Sequence, residues 1–250
     1  MSAMSRRHAI RRGLAAAAGL SGLAAAARLA DYYGLVPPDH GGIYGPGRTL
    51  TFAAQRLLTG NAFAREFDRS QISQPGFANP TAPPGDEFTR LQGGGFREWR
   101  LSIEGLVAQP VSLSVDDVRR MPAGRQITEL VCEEGWSYIA EWIGTPLGDI
   151  LRLAGAMPQA RYVVYFSIEK PWWESIDIID ARHPQTLVTY AMNGNDLPVA
   201  FGGPLRMRIP RQLGYKSIKY LNRIVVTDTL KPFNDGRGRP SDGYDWYAGI

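Results

Sequence analysis

The stretch Gln126–Leu147, QITELVCEEGWSYIAEWIGTPL, contains the chain's one cysteine, Cys132. Alternation of apolar and polar residues over Gln126–Val131 predicts a strand that ends at this cysteine. Glu133 and Glu134 follow, and because like charge disfavours a thiolate, the pattern argues against a free nucleophilic cysteine. A bound cation reverses that argument, since a coordinating thiol is deprotonated. Two interpretations remain at this point: a single thiolate ligand to a soft metal centre, or a buried structural cysteine.

Three blocks of sequence, in the same order, resemble the sulfite oxidase family of molybdenum-cofactor enzymes. They are the cysteine segment with Gly135-Trp136-Ser137 and Trp142–Leu147, then Tyr190–Pro198 with Gly203–Arg206, then Gly214–Tyr220 with Arg223-Ile224. One such block alone would be weak evidence, whereas several in order are specific. The resemblance covers roughly residues 60–250.

The resemblance implies an α+β fold, a single molybdopterin-binding domain of the sulfite oxidase type built from mixed sheets and short helices. It implies a molybdenum–molybdopterin cofactor with Cys132 as the protein's metal ligand, and two-electron oxygen-atom transfer. The expected substrate is a small sulfur or nitrogen oxo compound. Reduction of an S-oxide is favoured, and oxidation of sulfite is the alternative within the same fold.

The chain is similar to the exported bacterial methionine sulfoxide reductase catalytic subunits. This similarity implies a separate electron-transfer partner, such as a membrane haem protein, and it implies that the chain is a monomer.

Between Ala200 and Lys219 the chain concentrates glycine and basic residues, which is typical of an anion-binding loop because glycine allows close backbone approach and arginine suits phosphate. A cationic edge strand followed by a turn is the alternative interpretation. It is not a Walker loop, since Gly214 is followed by tyrosine where that motif has lysine. The resemblance assigns the pterin phosphate contacts to Arg206, Ser217, Ile218 and Lys219.

Four further positions are assigned by the resemblance. Arg65 and Glu66 match a segment that contacts the pterin, and a surface ion pair is the alternative there. Ser167 matches a small polar contact to the cofactor, although a serine at the end of a strand is also ordinary structure. Tyr247 matches a tyrosine that the C-terminal tail returns to the pocket as a hydrogen-bond donor, with surface packing as the alternative.

Phe201 is a departure from the family, because relatives usually have His or Asn at this position of the cofactor site. Phenylalanine cannot donate a hydrogen bond to a phosphate or pterin oxygen. We therefore expect cofactor retention to be weakened by roughly 1.5–3 kcal/mol.

Residues 1–30 resemble a twin-arginine export signal. Ser5–Ile10 carries Arg6 and Arg7, and the apolar run Gly13–Ala27 is shorter than the about 20 residues that a transmembrane helix needs. Small residues at 25–27 offer a cleavage site, and an uncleaved anchoring helix is the alternative. The signal predicts a periplasmic protein that is exported folded, with its cofactor already inserted.

The charge distribution excludes nucleic-acid binding. Five arginines and no acidic residue lie in residues 1–30, so removing them from the formal net charge of +4 leaves −1 for the rest of the chain. A nucleic-acid footprint needs clustered basic charge on the folded domain.

His40 and His183 are the histidines after the signal, and neither has a nucleophile motif nearby, which excludes a cysteine hydrolase. A cofactor-free periplasmic binding protein stays open as an alternative class.

After the signal, the sequence predicts an arm and irregular loop over residues 31–90, a molybdopterin-binding core over 91–230 and a tail over 231–250 that returns to the pocket. Periodicity and capping residues predict individual elements within these regions. Helices are predicted over Phe52–Leu58, over Val115–Met121 with Ser114 as cap, and after Thr145-Pro146 with Thr145 as cap, and a further helix start at His183-Pro184. Strands are predicted over Trp99–Glu104, Arg161–Ile168 and Glu174–Ile179.

Overall fold

A computed structural model describes residues 25–26, 28–74, 76–79, 84–240 and 243–250, and the chain divides into two compact units, Met1–Leu58 and Thr59–Ile250. The export-signal prediction lies largely outside the described residues. Helix α1, Gly45–Thr59, begins in the first unit and includes the predicted helix Phe52–Leu58. Within the described parts of the chain, no helix combines the length and the apolar character needed to cross a membrane.

The second unit is built on two sheets. The first sheet has the strand order β2-β1-β10-β5-β6, with β1 and β10 parallel and the other neighbours antiparallel. Its strands are β1 (Leu101–Gly105), β2 (Val111–Leu113), β5 (Tyr162–Ser167), β6 (Trp173–Asp177) and β10 (Leu221–Thr227).

The second sheet is antiparallel, in the order β3-β4-β7-β8, with a further strand, β9, paired to β7. Its strands are β3 (Gly124–Val131), β4 (Ser137–Pro146), β7 (Leu187–Met192), β8 (Asn195–Asp196) and β9 (Arg206–Arg208). The helices of this unit are short: α2 (Asp86–Gly93), α3 (Val115–Arg120), α4 (Leu147–Leu153) and α5 (Ile178–Arg182). Mixed sheets with short helices confirm the predicted α+β class.

The cap of α3 forms as the sequence predicts. Ser114 Oγ accepts a hydrogen bond from the Asp117 N–H at 3.1 Å, and the Asp117 carboxylate accepts one from the Ser114 N–H at 2.9 Å. This reciprocal arrangement satisfies backbone donors that the first turn of a helix leaves without partners. Local sequence therefore determines where α3 begins.

The predicted Thr145 cap of α4 is wrong. Strand β4 continues to Pro146, which is itself the N-cap residue of α4, and no side chain caps that helix. The Thr145 hydroxyl donates instead to the Val118 carbonyl at 2.7 Å, which ties β4 to the end of α3. Strand pairing and this distant contact override the capping preference of threonine.

Strand β6 ends earlier than predicted, and the helix start at His183 is also wrong. Asp177 ends the strand because its Oδ1 accepts from the Asp180 N–H at 2.8 Å and so caps α5. His183 lies at the other end of that helix, as its C-cap residue. A one-turn helix between Asp177 and His183 is too short to leave a clear periodic signal.

The main hydrophobic core lies under the first sheet, where buried side chains of β1, β5 and β10 pack with those of α3, α4 and β7. A second, smaller buried cluster is formed by Leu130, Tyr138, Ala140, Trp142, Met192 and Leu197. Trp136 and Phe201 pack against this smaller cluster. It supports the region where β3 and β5 end, which is where the candidate site lies.

Candidate cofactor site

A cavity of about 280 Å³ lies where β3 of one sheet and β5 of the other end. Its lining comes from the segments 77–79, 130–138, 167–172 and 201–219. Among the residues predicted from the sequence, the following line it: Cys132, Ser167, Phe201, Arg206, Ser217, Ile218 and Lys219. Residues separated by almost ninety positions in the chain thus share one cavity.

Cys132 opens the tight turn that connects β3 to β4. Its N–H donates to the Trp136 carbonyl at 2.9 Å, and its carbonyl accepts from the Gly135 N–H at 3.1 Å. The side chain is buried, and Sγ lies 3.4 Å from an oxygen of Glu133. Burial raises the pKa of the thiol to about 11, and the charge of Glu133 adds to that rise. The sequence analysis attributed the disfavoured thiolate to the neighbouring carboxylates alone, whereas in the structure burial is the larger cause of the raised pKa.

Arg206 is a buried cation in the wall of the cavity. Its guanidinium donates to three main-chain carbonyls, those of Phe201 at 2.7 Å, Ser217 at 2.5 Å and Met207 at 3.4 Å. Among the described residues it forms no ion pair, and burial lowers its pKa. A buried charge without a counter-ion is costly, so this side of the cavity favours an anion.

Lys219 adds a second cation to the same wall. Its Nζ donates to the carbonyl of Ala200 at 2.7 Å and to that of Asn79 at 3.3 Å. Burial, and then the charge of Arg206, lower the pKa of Lys219 to about 8. Two neighbouring cations, of which Arg206 lowers the pKa of Lys219, form the positive end of the site.

Two glycines allow these groups to meet. Gly202 has a φ of +100°, and a Cβ there would lie 2.8 Å from the Cβ of Lys219, so a larger residue would displace that lysine. A Cβ on Gly214 would lie 3.2 Å from the Val131 carbonyl and 3.5 Å from the Cα of Cys132. The turn that leads to Ser217 can therefore pass directly against the strand that ends at the cysteine.

Strand β9 is buried along its whole length, so its cations point into the protein. The guanidinium carbons of Arg206 and Arg208 lie 5.4 and 5.2 Å from the ring centroid of Trp142. Arg208 also donates to the Glu129 carbonyl at 2.6 Å, and burial lowers its pKa to about 9. The segment does form a strand, paired to β7, as the alternative interpretation of a cationic edge strand expects, but its arginines are buried.

Arg65 and Glu66 are not brought into this cavity. The Arg65 guanidinium lies 4.8 Å from the ring centroid of Phe67. Glu66 forms an isolated backbone bridge with Thr128, and its carboxylate accepts from Gln185 at 3.3 Å. Neither residue is among the described residues that line the cavity.

Neither Tyr244 nor Tyr247 of the tail is among the described residues that line the cavity. Tyr247 is half-buried, whereas Tyr244 is exposed and its ring stacks on Tyr215, a lining residue, with centroids 4.7 Å apart and an interplanar angle of 22°. The charge of Glu133 raises the pKa of the Tyr244 phenol. The role assigned to Tyr247 stays a prediction, and the contact with Tyr215 makes Tyr244 a second candidate in the same tail.

The sequence analysis missed the aromatic lining. Trp136 and Tyr138 stack almost parallel, with centroids 6.1 Å apart, and Phe77 packs on Trp136 at 4.5 Å. Trp172 lines the same cavity. The alternation of Trp136 with Tyr138 on one face of β4 is a signal that could have identified two of these residues.

The residues present fit an anionic organic cofactor that carries a metal. The cavity offers two cations without ion-pair partners among the described residues, aromatic faces for a ring system and one thiol. Its volume is close to the lower end of the range, about 300–1,000 Å³, that is usual for small-molecule sites. Fold and site together define a cofactor-binding α+β protein.

Comparison with known proteins gives the family. The model of the oxidoreductase molybdopterin binding domain matches residues 92–233, and the chain belongs to this family. It is 34% identical over 193 residues to a protein of Azospira oryzae named as a protein-methionine-sulfoxide reductase subunit, YedZ1; the match covers 77% of this chain and 70% of that protein. The family confirms the prediction of a molybdopterin-dependent oxidoreductase.

Two more distant matches agree with the fold. The chain is 31% identical over 167 residues to the protein-methionine-sulfoxide reductase catalytic subunit MsrP of Ralstonia nicotianae, with 61% of this chain and half of that protein covered. The crystal structure of the sulfane dehydrogenase SoxCD from Paracoccus pantotrophus superposes with a TM-score of 0.51 at 21% identity, covering 57% of this chain and 44% of that one. This last likeness shows the fold alone.

Proposed function

We propose that the chain is the catalytic subunit of an exported sulfoxide reductase that uses a molybdenum–molybdopterin cofactor, with Cys132 as the metal's protein ligand. One observation carries the proposal: the buried thiol of Cys132 opens on the same cavity as Arg206 and Lys219, which have no ion-pair partner in the described part of the chain. The relatives named as methionine sulfoxide reductase subunits support reduction as the direction.

Each side chain has a role in this proposal. Arg206, Lys219 and the Ser217–Ile218 backbone would hold the phosphate of the pterin, and Phe77 and Tyr138 of the aromatic lining would pack against its rings. The bound cofactor supplies two-electron oxygen-atom transfer. The overall reaction takes a sulfoxide, two electrons and two protons to a thioether and water, and we propose a separate electron-transfer protein, such as a membrane haem protein, as the source of the electrons.

Phe201 leaves the phosphate with one donor fewer than in relatives, yet its carbonyl still accepts from Arg206 and so helps to orient that cation. We place Tyr244 beside Tyr247 as a candidate hydrogen-bond donor to the substrate oxygen. The turnover of Tyr244→Phe and of Tyr247→Phe decides between them, and a residue whose variant keeps full turnover has no such role.

Metal analysis of the purified protein tests the proposed ligand. We expect molybdenum in an amount equal to that of the chain, and its loss in Cys132→Ala. Glu87→Gln is the control, since it alters an exposed residue outside the cavity lining and should keep its metal. A Cys132→Ala protein that folds and retains molybdenum would show that the cysteine is structural.

Assays of the loaded enzyme test the direction. With a reduced dye as electron donor we expect methionine sulfoxide to be consumed and methionine to form. Sulfite with an oxidised dye is the opposite assay. Turnover in the sulfite assay, without reduction of methionine sulfoxide, would replace the proposal with sulfite oxidation.

A further inference from the structure

Two turns border the cavity, and each carries one glutamate and one tryptophan. The turn after β3, residues 132–136, contains Glu134 and Trp136, and the turn after β5, residues 167–172, contains Glu169 and Trp172. Both tryptophans and Glu169 line the cavity. Trp172 is 53% exposed, which places this side of the cavity at its opening to solvent. We call these four residues the rim.

The first turn holds its pair in a fixed arrangement. Trp136 Nε1 donates to Glu134 Oε2 at 2.8 Å, so the carboxylate and the indole are joined edge to edge. Phe77 and Tyr138 pack against this indole, with ring centroids 4.5 and 6.1 Å from it. A ring fixed in this way offers a binding surface without a large loss of side-chain entropy.

The second turn is ordered by its own backbone. Ser167 Oγ accepts from the Glu169 N–H at 3.0 Å, and the Glu169 carbonyl accepts from the Trp172 N–H at 3.0 Å. The Glu169 carboxylate makes no hydrogen bond or ion pair among the described residues. Burial raises its pKa, and the nearby charge of Lys219 offsets part of that rise. Lys170, exposed in the same turn, is the other cation beside it.

The sign of the charged side chains therefore differs between the interior of the cavity and its opening. Arg206 and Lys219 supply positive charge inside the cavity, whereas carboxylates and indole faces lie towards the opening. Carboxylates attract ammonium and guanidinium groups, and indole faces add cation–π attraction. A small sulfoxide would not span this rim, but a peptide that carries an oxidised methionine into the cavity would place its neighbouring side chains against it.

We propose that the rim makes this enzyme selective for sulfoxides on peptide segments in which lysine or arginine flanks the oxidised methionine. This inference rests on the proposed sulfoxide reductase activity and adds a substrate class to it. The rim residues contact the flanking side chains of the peptide, and the sulfoxide itself lies deeper, beside the cofactor.

The test compares three synthetic peptides of equal length, in which methionine sulfoxide is flanked by lysine, glutamine or glutamate. At low ionic strength we expect kcat/KM for the lysine peptide to exceed that for the glutamate peptide by about five- to tenfold. The value for the glutamine peptide should lie between them, and added salt should reduce the difference. Glu134→Gln/Glu169→Gln should bring the ratio close to unity. Peptides with methionine sulfone in place of the sulfoxide, titrated by calorimetry, should show the same order of Kd without turnover.

The control is Glu87→Gln/Glu98→Gln, which removes the same charge from exposed positions outside the cavity lining and should keep the ratio. A wild-type ratio near unity, or one that the rim variant leaves intact, would overturn the inference. Free methionine sulfoxide is assayed in parallel with the wild-type enzyme. Inactivity on it would contradict the proposed sulfoxide reductase function. Activity on it without selectivity among the peptides would contradict only the proposed role of the rim.

Discussion

The lowered pKa of the lysine in the cavity wall shows how strongly this part of the site favours a bound anion. Lys219 has an ordinary pKa of 10.5, and burial together with Arg206 lowers it to about 8. The folded chain thus holds this charge at a cost when no counter-ion is present. An anionic group in the cavity would remove that cost, which links the protonation of one side chain to occupancy of the whole site.

This link predicts a pH dependence for cofactor-free protein, made in cells that cannot synthesise molybdopterin. Above pH 8 the folded chain releases the Lys219 proton while the unfolded chain keeps it up to about 10.5, so the unfolded state binds more protons and stability rises with pH. Burial lowers the pKa of Arg208 to about 9 and raises that of Cys132 to about 11, so between pH 8 and 9 their contributions to stability have opposite signs and largely cancel. Over this interval we expect a gain from Lys219 of at most about 1 kcal/mol, reduced by solvent screening.

Urea unfolding at pH 8 and pH 9 measures this gain. Lys219→Met removes the titrating group, so its free energy of unfolding should change less over this interval than that of the wild type. Equal slopes in both proteins would mean that another group is responsible. The cofactor-bound protein should lack the gain, because the bound anion restores the pKa of the lysine.

At the scale of elements, a buried ion pair fixes the turn that presents the phosphate contacts. Lys216 Nζ lies 2.7 Å from Glu174 Oε2 and donates to the Ser175 carbonyl at 3.0 Å. The Tyr165 hydroxyl donates to the Lys216 carbonyl at 2.9 Å. Strands β5 and β6 thereby hold the residue that directly precedes Ser217, so the first sheet determines where that part of the site lies.

Glu174→Gln tests the role of the Lys216–Glu174 ion pair. The substitution leaves the Lys216 ammonium buried without its counter-ion, and breaking a buried pair in this way costs about 3–5 kcal/mol. We expect a loss of unfolding free energy near the lower end of that range, since glutamine still accepts a hydrogen bond, together with weaker retention of molybdenum. Glu87→Gln, at an exposed ion pair on α2, is the control and should change neither. A tolerated Glu174→Gln would contradict the role of the pair.

How far the sequence predicts each element depends on the range of the contacts that define it. The start of α3 follows from Ser114 and Asp117, which are three residues apart. The cap of α4 could not be predicted, because the Thr145 hydroxyl bonds a carbonyl 27 residues away. The same reasoning applies to the site: the motifs located Cys132 and Arg206, but the tie between Lys216 and Glu174 spans 42 residues and has no local signal.

At the scale of the whole molecule, the site is assembled from both sheets, with Cys132 after β3 and Ser167 after β5. Neither sheet holds the cavity alone, so the cofactor can be enclosed only once the second unit has folded. This order of events agrees with the proposed export of folded protein. A cofactor bound in the cytoplasm would be carried across the membrane inside the assembled site.

The export proposal predicts different results for the two arginine pairs near the start of the chain. Arg6→Lys/Arg7→Lys alters the pair within Ser5–Ile10, and we expect that protein to stay in the cytoplasm, still loaded with molybdenum, because the family domain at residues 92–233 is unchanged. Arg11→Lys/Arg12→Lys makes the same chemical change five residues later, and this protein should still be exported. Cell fractionation with metal analysis of each fraction provides the measurement. Periplasmic recovery of both variants would refute the twin-arginine assignment, and a cytoplasmic variant without metal would show that cofactor insertion does not precede export.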